Sequence, residues 1–282
     1  MVLDQFGILQ KCKTKSGGNE WFSTAWNNGV SRDLGGPGDP EFDPYDSVFK
    51  VTIGSPDVPV NIDGAGSAKL RSTLGPISSI RLWVNKTWLN TEMTIYLKRV
   101  AICTNIGLRS RSKHTQSGTP NCLWGDYMVN WNIDDEYVVP QVEVTHPVYD
   151  RGLPRTDFPN KILPLDRYIG FKTITRTALN NKVLVKGYSN YTATQNLSVG
   201  GQAHSDWVKD AEFIFDGTNS TADNIDDPTI FDFCGTSGDN LLGDLTANTL
   251  WLNSGTSCWF RINGATELNL RWASVREISP IS

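Results

Sequence analysis

Between Arg109 and Tyr149 the chain reads RSRSKHTQSGTPNCLWGDYMVNWNIDDEYVVPQVEVTHPVY, a stretch holding two of its three histidines. Arg111, His114, Tyr127, Glu143, His146 and Tyr149 bring a guanidinium, two imidazoles, a carboxylate and two phenols into one region. That set suits removal of a proton α to a substrate carboxylate. Such a step needs a cationic or amide group to neutralise the carboxylate and a base of suitable pKa. Histidine, with an unperturbed pKa of about 6.5, fits the base role near neutral pH. A tyrosine can serve as the acid. Arg111, His114, Glu143, His146 and Tyr149 are therefore the candidate catalytic residues.

The same residues carry a plainer reading. Along 141–146, Gln141, Glu143 and Thr145 share one face of a strand, while Val142, Val144 and His146 share the other. Strict alternation makes His146 a hydrogen-bonded core histidine, unless Pro147 bends the strand and re-aims it. His114 lies in a Ser/Lys/Gln loop and suits a solvated role equally. Glycosidic hydrolysis would need two flanking carboxylates. The closely spaced Glu-x-Asp-x-Glu strand motif is absent, and Glu92 with Glu143 is the pair that could meet across strands. No G-x-S-x-G elbow supports a serine nucleophile. The oxygen-rich run 216–227, DGTNSTADNIDD, could hold a structural Ca²⁺ but is not an EF-hand loop. No other cofactor is expected. Trp124, Trp131 and Trp259 could stack on sugar rings, although core packing is the commoner use of tryptophan.

The elements that must position these groups read as strands. Thr91–Val100 (TEMTIYLKRV) places Met93, Ile95 and Leu97 on one face and Glu92, Thr94, Tyr96 and Lys98 on the other. One apolar face and one long polar face predict an antiparallel sheet with an open side, where a groove could lie. Glu92, Tyr96 and Lys98, with Trp124 and Tyr127, are the expected substrate-binding residues. Strands are also expected at 5–14, 48–53, 80–84, 124–133, 136–146, 168–176, 182–188, 207–215, 258–262 and 267–278. Pro140 argues for an edge or a bulge. Ala-Leu-Asn-Asn before Lys182 suits a hairpin. In the last strand Leu268, Leu270 and Trp272 share a face by alternation. No amphipathic helix of three turns and no internal repeat is visible.

The 282 residues, with 39% hydrophobic and 20% charged, are enough for one large domain, and no linker divides them. Short strands at sandwich-like spacing predict a single antiparallel β-sandwich of jelly-roll type over 1–282, with long loops at 35–44 and 216–247. A net charge of −4 without a basic stripe argues against nucleic acid. No apolar run is long enough for a membrane span. Five scattered cysteines, with no C-x-x-C, exclude zinc-ligand spacing. The four N-x-S/T sequons match chance and do not bear on secretion. Met1-Val-Leu-Asp opens no signal peptide. The expectation is a chain that starts after a removed signal.

Several segments resemble a family of archaeal and microbial extracellular proteins with a concanavalin A-like, lectin/glucanase-type jelly roll. They are QFGILQKCKTKSGGNEWF, WLNTEMTIYLKRV, RSRSKH followed by Cys122 and Tyr127, VEVTHPVY, LPLDRYIGFKTI and LRWASVREI. The architecture is similar to that of polysaccharide lyases of the alginate and glucuronan type, and to non-catalytic sugar-binding domains. The resemblance implies an extracellular or cell-surface protein whose partner is a glycan, with β-elimination on a uronate polymer as the activity. A carbohydrate-binding or adhesion protein, or a subunit of an extracellular assembly, is the alternative. Cysteines at similar places in the family imply a Cys122–Cys234 disulfide, with Cys103 and Cys258 a weaker pair. Two geometric expectations follow. Segment 5–14 lies beside 267–278 in one sheet. Arg111, His114, Glu143, His146 and Tyr149 converge on the open face that carries Glu92, Tyr96 and Lys98.

Overall fold

The computed structural model describes residues 2–35, 41–56, 58–112, 125–145, 148–151, 156–157, 163–165, 167–191, 206–216 and 254–281, with backbone alone at 144–145 and 148–151. These residues form two antiparallel sheets stacked as a sandwich, with no α-helix among them. The first sheet runs, in hydrogen-bonded order, β16 (Val208–Phe215), β15 (Val183–Asn190), β14 (Ile169–Thr177), β8 (Thr91–Arg99), β18 (Glu267–Glu277), β6 (Ser67–Arg71), β5 (Val60–Ile62) and β2 (Arg32–Leu34). The short β1 (Glu20–Phe22) also pairs with β18. The second sheet runs β12 (Val148–Arg151), β11 (Tyr137–Thr145), β10 (Asp126–Asn132), β9 (Asn105–Ser112), β17 (Ser257–Asn263), β7 (Ile80–Val84), β4 (Asp46–Ile53) and β3 (Glu41–Asp43). A two-residue β13 (Thr156–Asp157) joins β11.

The core is the set of inward residues that period-two alternation selects. Met93, Ile95 and Leu97 of β8 face Ile106 and Leu108 of β9, Phe260 and Ile262 of β17 and Val129 and Trp131 of β10, all buried in one cluster. Polar ties cross between the sheets at several points. Arg32 of β2 donates through Nε to Asp43 Oδ1 of β3 at 2.7 Å, in a buried ion pair at the edge. Trp131 Nε1 donates to Asp210 Oδ2 of β16 at 3.0 Å, and Ser110 Oγ meets Thr175 Oγ1 at 2.6 Å. Pro140 falls between the stretches of β11 that pair with β12 and with β13, so its missing N–H interrupts neither ladder.

The outer face of the first sheet is not open. Residues 2–12 cross it outside the sheet, and Ile8, Phe6 and Leu9 pack on Tyr96, Tyr168, Tyr188, Trp207 and Trp272 in a second apolar cluster. Beneath them Glu92 has no exposure. Its Oε1 receives Lys172 Nζ at 2.5 Å and Arg276 Nη2 at 2.9 Å, and its Oε2 accepts the backbone N–H groups of Cys12 at 2.9 Å and Lys11 at 3.1 Å. Burial alone would raise the Glu92 carboxyl, but Lys172 and Arg276 outweigh it and hold it below the usual carboxylate range. Burial in turn lowers the Lys172 ammonium. Segment 5–14 therefore covers the sheet instead of joining it. Only its end meets the chain just past β18, where Thr14 bridges Ile278 and the Lys13 carbonyl accepts the Ser279 N–H at 3.1 Å, and the early strand beside β18 is 20–22.

Two bulges change the face of residues that alternation would place elsewhere. Between Arg109↔Trp259 and Ser112↔Ser257 the ladder of β9 and β17 gains one residue on β9, and Arg111 there has φ 50°. Between Arg271 and Ser274 the pairing of β18 with β8 also shifts, and Trp272 has φ 47°. Leu268 and Leu270 face the core before that shift, and Ala273 and Val275 face it after. Trp272 is thereby turned outward, away from the face it would share with Leu268 and Leu270.

Cys12, Cys103 and Cys258 carry free thiols. The expected Cys103–Cys258 pair is not formed. Cys258 is at the Ser112 end of the β9–β17 ladder, whereas Cys103 precedes Asn105, which pairs with Asn263 at the other end. At about 3.3 Å per residue that gap far exceeds the Cα separation of about 7 Å at which bridging fails. Cys122 and Cys234 lie outside the described residues.

The buried charge cluster has measurable consequences. Lys172→Met strips Glu92 of its nearest cation and should cost about 3–5 kcal/mol, read as a lower urea midpoint. Adding Glu92→Gln should recover part of that loss; a double variant as unstable as the sum of the singles would refute the pairing. Because the folded Glu92 pKa is depressed, its contribution is complete above the unfolded value of about 4.3 and is lost as pH falls through the folded value. Stability of Glu92→Gln should therefore fall less steeply below about pH 4 than that of the parent chain.

Candidate functional site

The outer face of the second sheet is polar along several adjacent strands. Outward positions are Asn105, Gly107 and Arg109 on β9, Asp126, Met128, Asn130 and Asn132 on β10, Tyr137, Val139, Gln141 and Glu143 on β11, and Trp259, Arg261 and Asn263 on β17. Their inward neighbours Ile106, Leu108, Val129, Trp131, Val138, Val142, Phe260 and Ile262 belong to the core, and this fixes the face.

At one end Arg109 is buried with two carboxylates. Its Nη1 donates to Asp126 Oδ2 at 3.0 Å and to Glu143 Oε2 at 2.8 Å, and the guanidinium lies over the Trp259 ring at 4.5 Å. Asp126 and Glu143 are direct cross-strand partners, which places both carboxylates on the same cation. Trp259 stacks on Trp83 at 4.5 Å and donates through Nε1 to Ser112 Oγ at 3.0 Å.

Away from that end the face opens into a groove of about 320 Å³, whose floor includes Asn105, Asn132, Asn263, Arg261, Gln141 and Tyr137. Asn105 Nδ2 donates to Asn132 Oδ1 at 2.8 Å, Asn263 Nδ2 to Asn105 Oδ1 at 3.3 Å, and Arg261 Nε to Asn263 Oδ1 at 3.0 Å. Asn130 Nδ2 contacts Gln141 Oε1. Gly107 makes room for this layer, since a Cβ there would meet Asn130 Oδ1 at 2.4 Å. Amides and guanidinium groups in one layer offer both donors and acceptors at fixed positions, the complement of vicinal hydroxyls. Among the described residues no group of three His, Cys, Asp or Glu side chains could hold a metal ion. Of the proposed Ca²⁺ run 216–227, all but Asp216 lies outside the described residues, and Asp216 pairs with Lys182 at 3.3 Å.

The expected site residues are divided between the two sheets. Glu143 is on the outer face of the second sheet, and Tyr149 is opposite it in the register of β12. Glu92 and Tyr96 are buried under the N-terminal segment on the outer side of the first sheet, and Lys98, half-buried, is on the same strand. The two groups occupy opposite sides of the sandwich, so the expected convergence does not occur. Arg111 faces neither side. Its bulge turns the guanidinium to the Leu89 carbonyl at 2.5 Å, Asn90 Oδ1 at 2.9 Å and Thr177 Oγ1 at 2.9 Å, joining β9 to the start of β8 and the end of β14. Tyr127 is a core residue against Phe215, and Trp131 packs in the core on Phe171. Trp259 is outward but only 2% exposed, which leaves no ring face for a sugar. His114, Trp124 and His146 lie outside the described residues.

Arg109, Asp126, Asn105, Asn132, Gln141, Arg261 and Asn263 were not among the sequence candidates. The signal for them is period-two polarity within strands: Asn105-x-Gly-x-Arg109, Asp126-x-Met-x-Asn-x-Asn132 and Arg261-x-Asn263.

No protein-family model matches the chain, and no curated protein matches it by sequence. Among solved structures, a Bacillus subtilis protein of unknown function with a galectin-like fold matches with TM-score 0.51 at 10% identity, over 89% of this chain and 100% of that one. A carbohydrate-binding module from Bacillus subtilis matches with TM-score 0.44 at 8% identity, over 80% and 95%. A Bacillus licheniformis β-glucanase matches with TM-score 0.40 at 12% identity, over 93% and 99%. The first of these agrees with the two-sheet topology in assigning a galectin-like jelly-roll fold, and bears on fold alone.

Arg109→Ala would leave Asp126 and Glu143 buried without their shared cation and should destabilise by about 3–5 kcal/mol. Arg109→Lys should recover only part, because a single ammonium cannot reproduce the guanidinium fork or its stacking on Trp259. Urea titrations of the three proteins decide this, and equal midpoints would sink it.

Proposed function

We propose that this chain is a carbohydrate-binding jelly-roll protein that holds a polar glycan in the groove on the outer face of its second sheet. The observation that supports the reading is the layer of half-buried Asn105, Asn132, Asn263 and Arg261 with buried Gln141 along a groove of about 320 Å³. A groove of that size accommodates a small ligand or a short run of sugar units. Because the amides are held by one another, few side chains need to be ordered when hydroxyls dock, which lowers the entropic cost of binding. The resemblance to extracellular microbial proteins supports a setting outside the cell or on its surface.

A second reading is β-elimination on a uronate polymer. It is favoured by the Arg109–Asp126–Glu143 cluster at the end of the same face, with Tyr149 facing Glu143 in register. There a tyrosine would move the proton, and Arg261 in the groove would counter the uronate carboxylate, since Arg109 is buried and shared by Asp126 and Glu143. His114 and His146, the bases expected for that chemistry, lie outside the described residues.

Affinity electrophoresis on a panel of neutral and uronate polymers tests the binding. Asn132→Ala and Arg261→Ala should each weaken retention about tenfold, with little change in thermal melting. Retention by no polymer, or equal retention by the variants, would remove the groove from the account. Absorbance of unsaturated products on the uronate members tests elimination, with Tyr149→Phe expected to lower turnover by about 10²–10⁴.

A further inference from the structure

A larger pocket, of about 460 Å³, lies on the other side of the molecule, at the edge of the N-terminal segment. Gln5 and Phe6 border it on one side, Thr24 and Asn27 on another, and Arg271 and Trp272 complete it. It is built at the bulge in β18. Trp272 holds φ 47°, a left-handed conformation that a bulky residue retains only where the surroundings enforce it. They do so here. Ser23 Oγ accepts the Ala273 N–H at 3.1 Å, and the Trp272 ring meets the edges of Tyr96 at 5.5 Å and Tyr168 at 5.6 Å.

Arg271 differs from Arg32, Arg109 and Arg276. Arg32, Arg109 and Arg276 each pair with a buried carboxylate. Arg271 donates through Nε to Ser67 Oγ at 2.6 Å and lies over the Tyr168 ring at 5.3 Å, and it has no carboxylate partner among the described residues. Its fork is thus held in place, half-buried and facing a cavity, with no carboxylate paired to it among the described residues. A planar guanidinium of this kind matches a carboxylate in bidentate geometry. The Phe6 and Trp272 rings offer apolar faces for a ring ligand, and the Thr24 hydroxyl with the Gln5 and Asn27 amides offer partners for its hydroxyls.

We propose that this pocket binds a sugar acid, with Arg271 taking the carboxylate and Trp272 and Phe6 the ring, at a second site independent of the polar groove. The site does not depend on whether the groove binds glycan. It would let the protein hold an acidic unit on the side of the sandwich that its N-terminal segment otherwise closes.

The test is titration of the full ¹⁵N-labelled chain with glucuronate and galacturonate, beside glucose and galactose, following the Trp272 indole N–H resonance identified from Trp272→Phe. Both uronates should shift that resonance saturably, and the neutral sugars should bind at least about tenfold more weakly. Arg271→Gln should abolish the preference. Asn27→Asp, on the exposed rim, should do the same by repelling the carboxylate while leaving the thermal melt unchanged, and it decides the matter if Arg271→Gln does not fold. Asn132→Ala, in the groove, should leave the Trp272 response intact. An unshifted Trp272 resonance, equal affinity for neutral sugars, or parent-like uronate binding by Asn27→Asp would overturn the proposal.

Discussion

A carboxylate with no solvent exposure on the outer side of a sheet is the constraint from which much of this structure follows. Moving an ion of that kind out of water costs several kcal/mol unless cations and N–H donors surround it. Glu92 is met by Lys172 from β14, Arg276 from β18 and the backbone amides of Lys11 and Cys12. Two neighbouring strands and the N-terminal segment are therefore bound to one point. The amides have a directional role that the cations lack. They require the segment to cross the sheet in one place, and the hydrophobic contacts of Phe6, Ile8 and Leu9 with Tyr96, Tyr168 and Trp207 complete the cover.

Closing that face leaves the polar groove of the second sheet exposed. On the second sheet the outward side chains satisfy one another through planar amide contacts and stay half-buried along a groove. The two faces illustrate two treatments of polar groups at a sheet surface. On the first sheet the charges are buried and paired; on the second, one such cluster, Arg109 with Asp126 and Glu143, closes one end and neutral amides are left partly wet beside it. The second arrangement keeps hydrogen-bonding capacity that a ligand can use, because each amide group has more donor and acceptor sites than its neighbours occupy.

Two bulges then decide what particular side chains do. At Arg111 the extra residue of β9 converts a second outward arginine beside Arg109 into an internal tie among Leu89, Asn90 and Thr177. At Trp272 the shift in β18 moves an indole from the core face to the pocket beside Arg271. Both residues sit in the left-handed region that β-strand sequences rarely signal, since neither arginine nor tryptophan is favoured there. Each insertion also aims a residue out of line with its strand, a common use of bulges near functional surfaces.

The sequence by itself determined the strands of strong alternation, from β4 through β8, β10, β11 and β14 to β18, and so the all-β class and the sandwich. The physical reason is that side-chain period in a strand is local: Met93, Ile95 and Leu97 face one way whatever packs on them. Short or glycine-interrupted strands such as β5, β6 and β9 were not among the expected strands: β9 alternates Asn105, Gly107 and Arg109 with Ile106 and Leu108, but Gly107 weakens the strand signal until neighbours on both sides supply ladder bonds. Glu143 was legible as an outward carboxylate, but Arg109 and Asp126 were not, since a cross-strand partner is a property of register. Tertiary structure alone decided that Glu92 and Tyr96 are covered, because alternation distinguishes two faces of a strand and cannot say which face another segment will occupy. It alone decided the facing of Arg111 and Trp272, because one inserted residue reverses the parity on which every sequence reading of a strand depends.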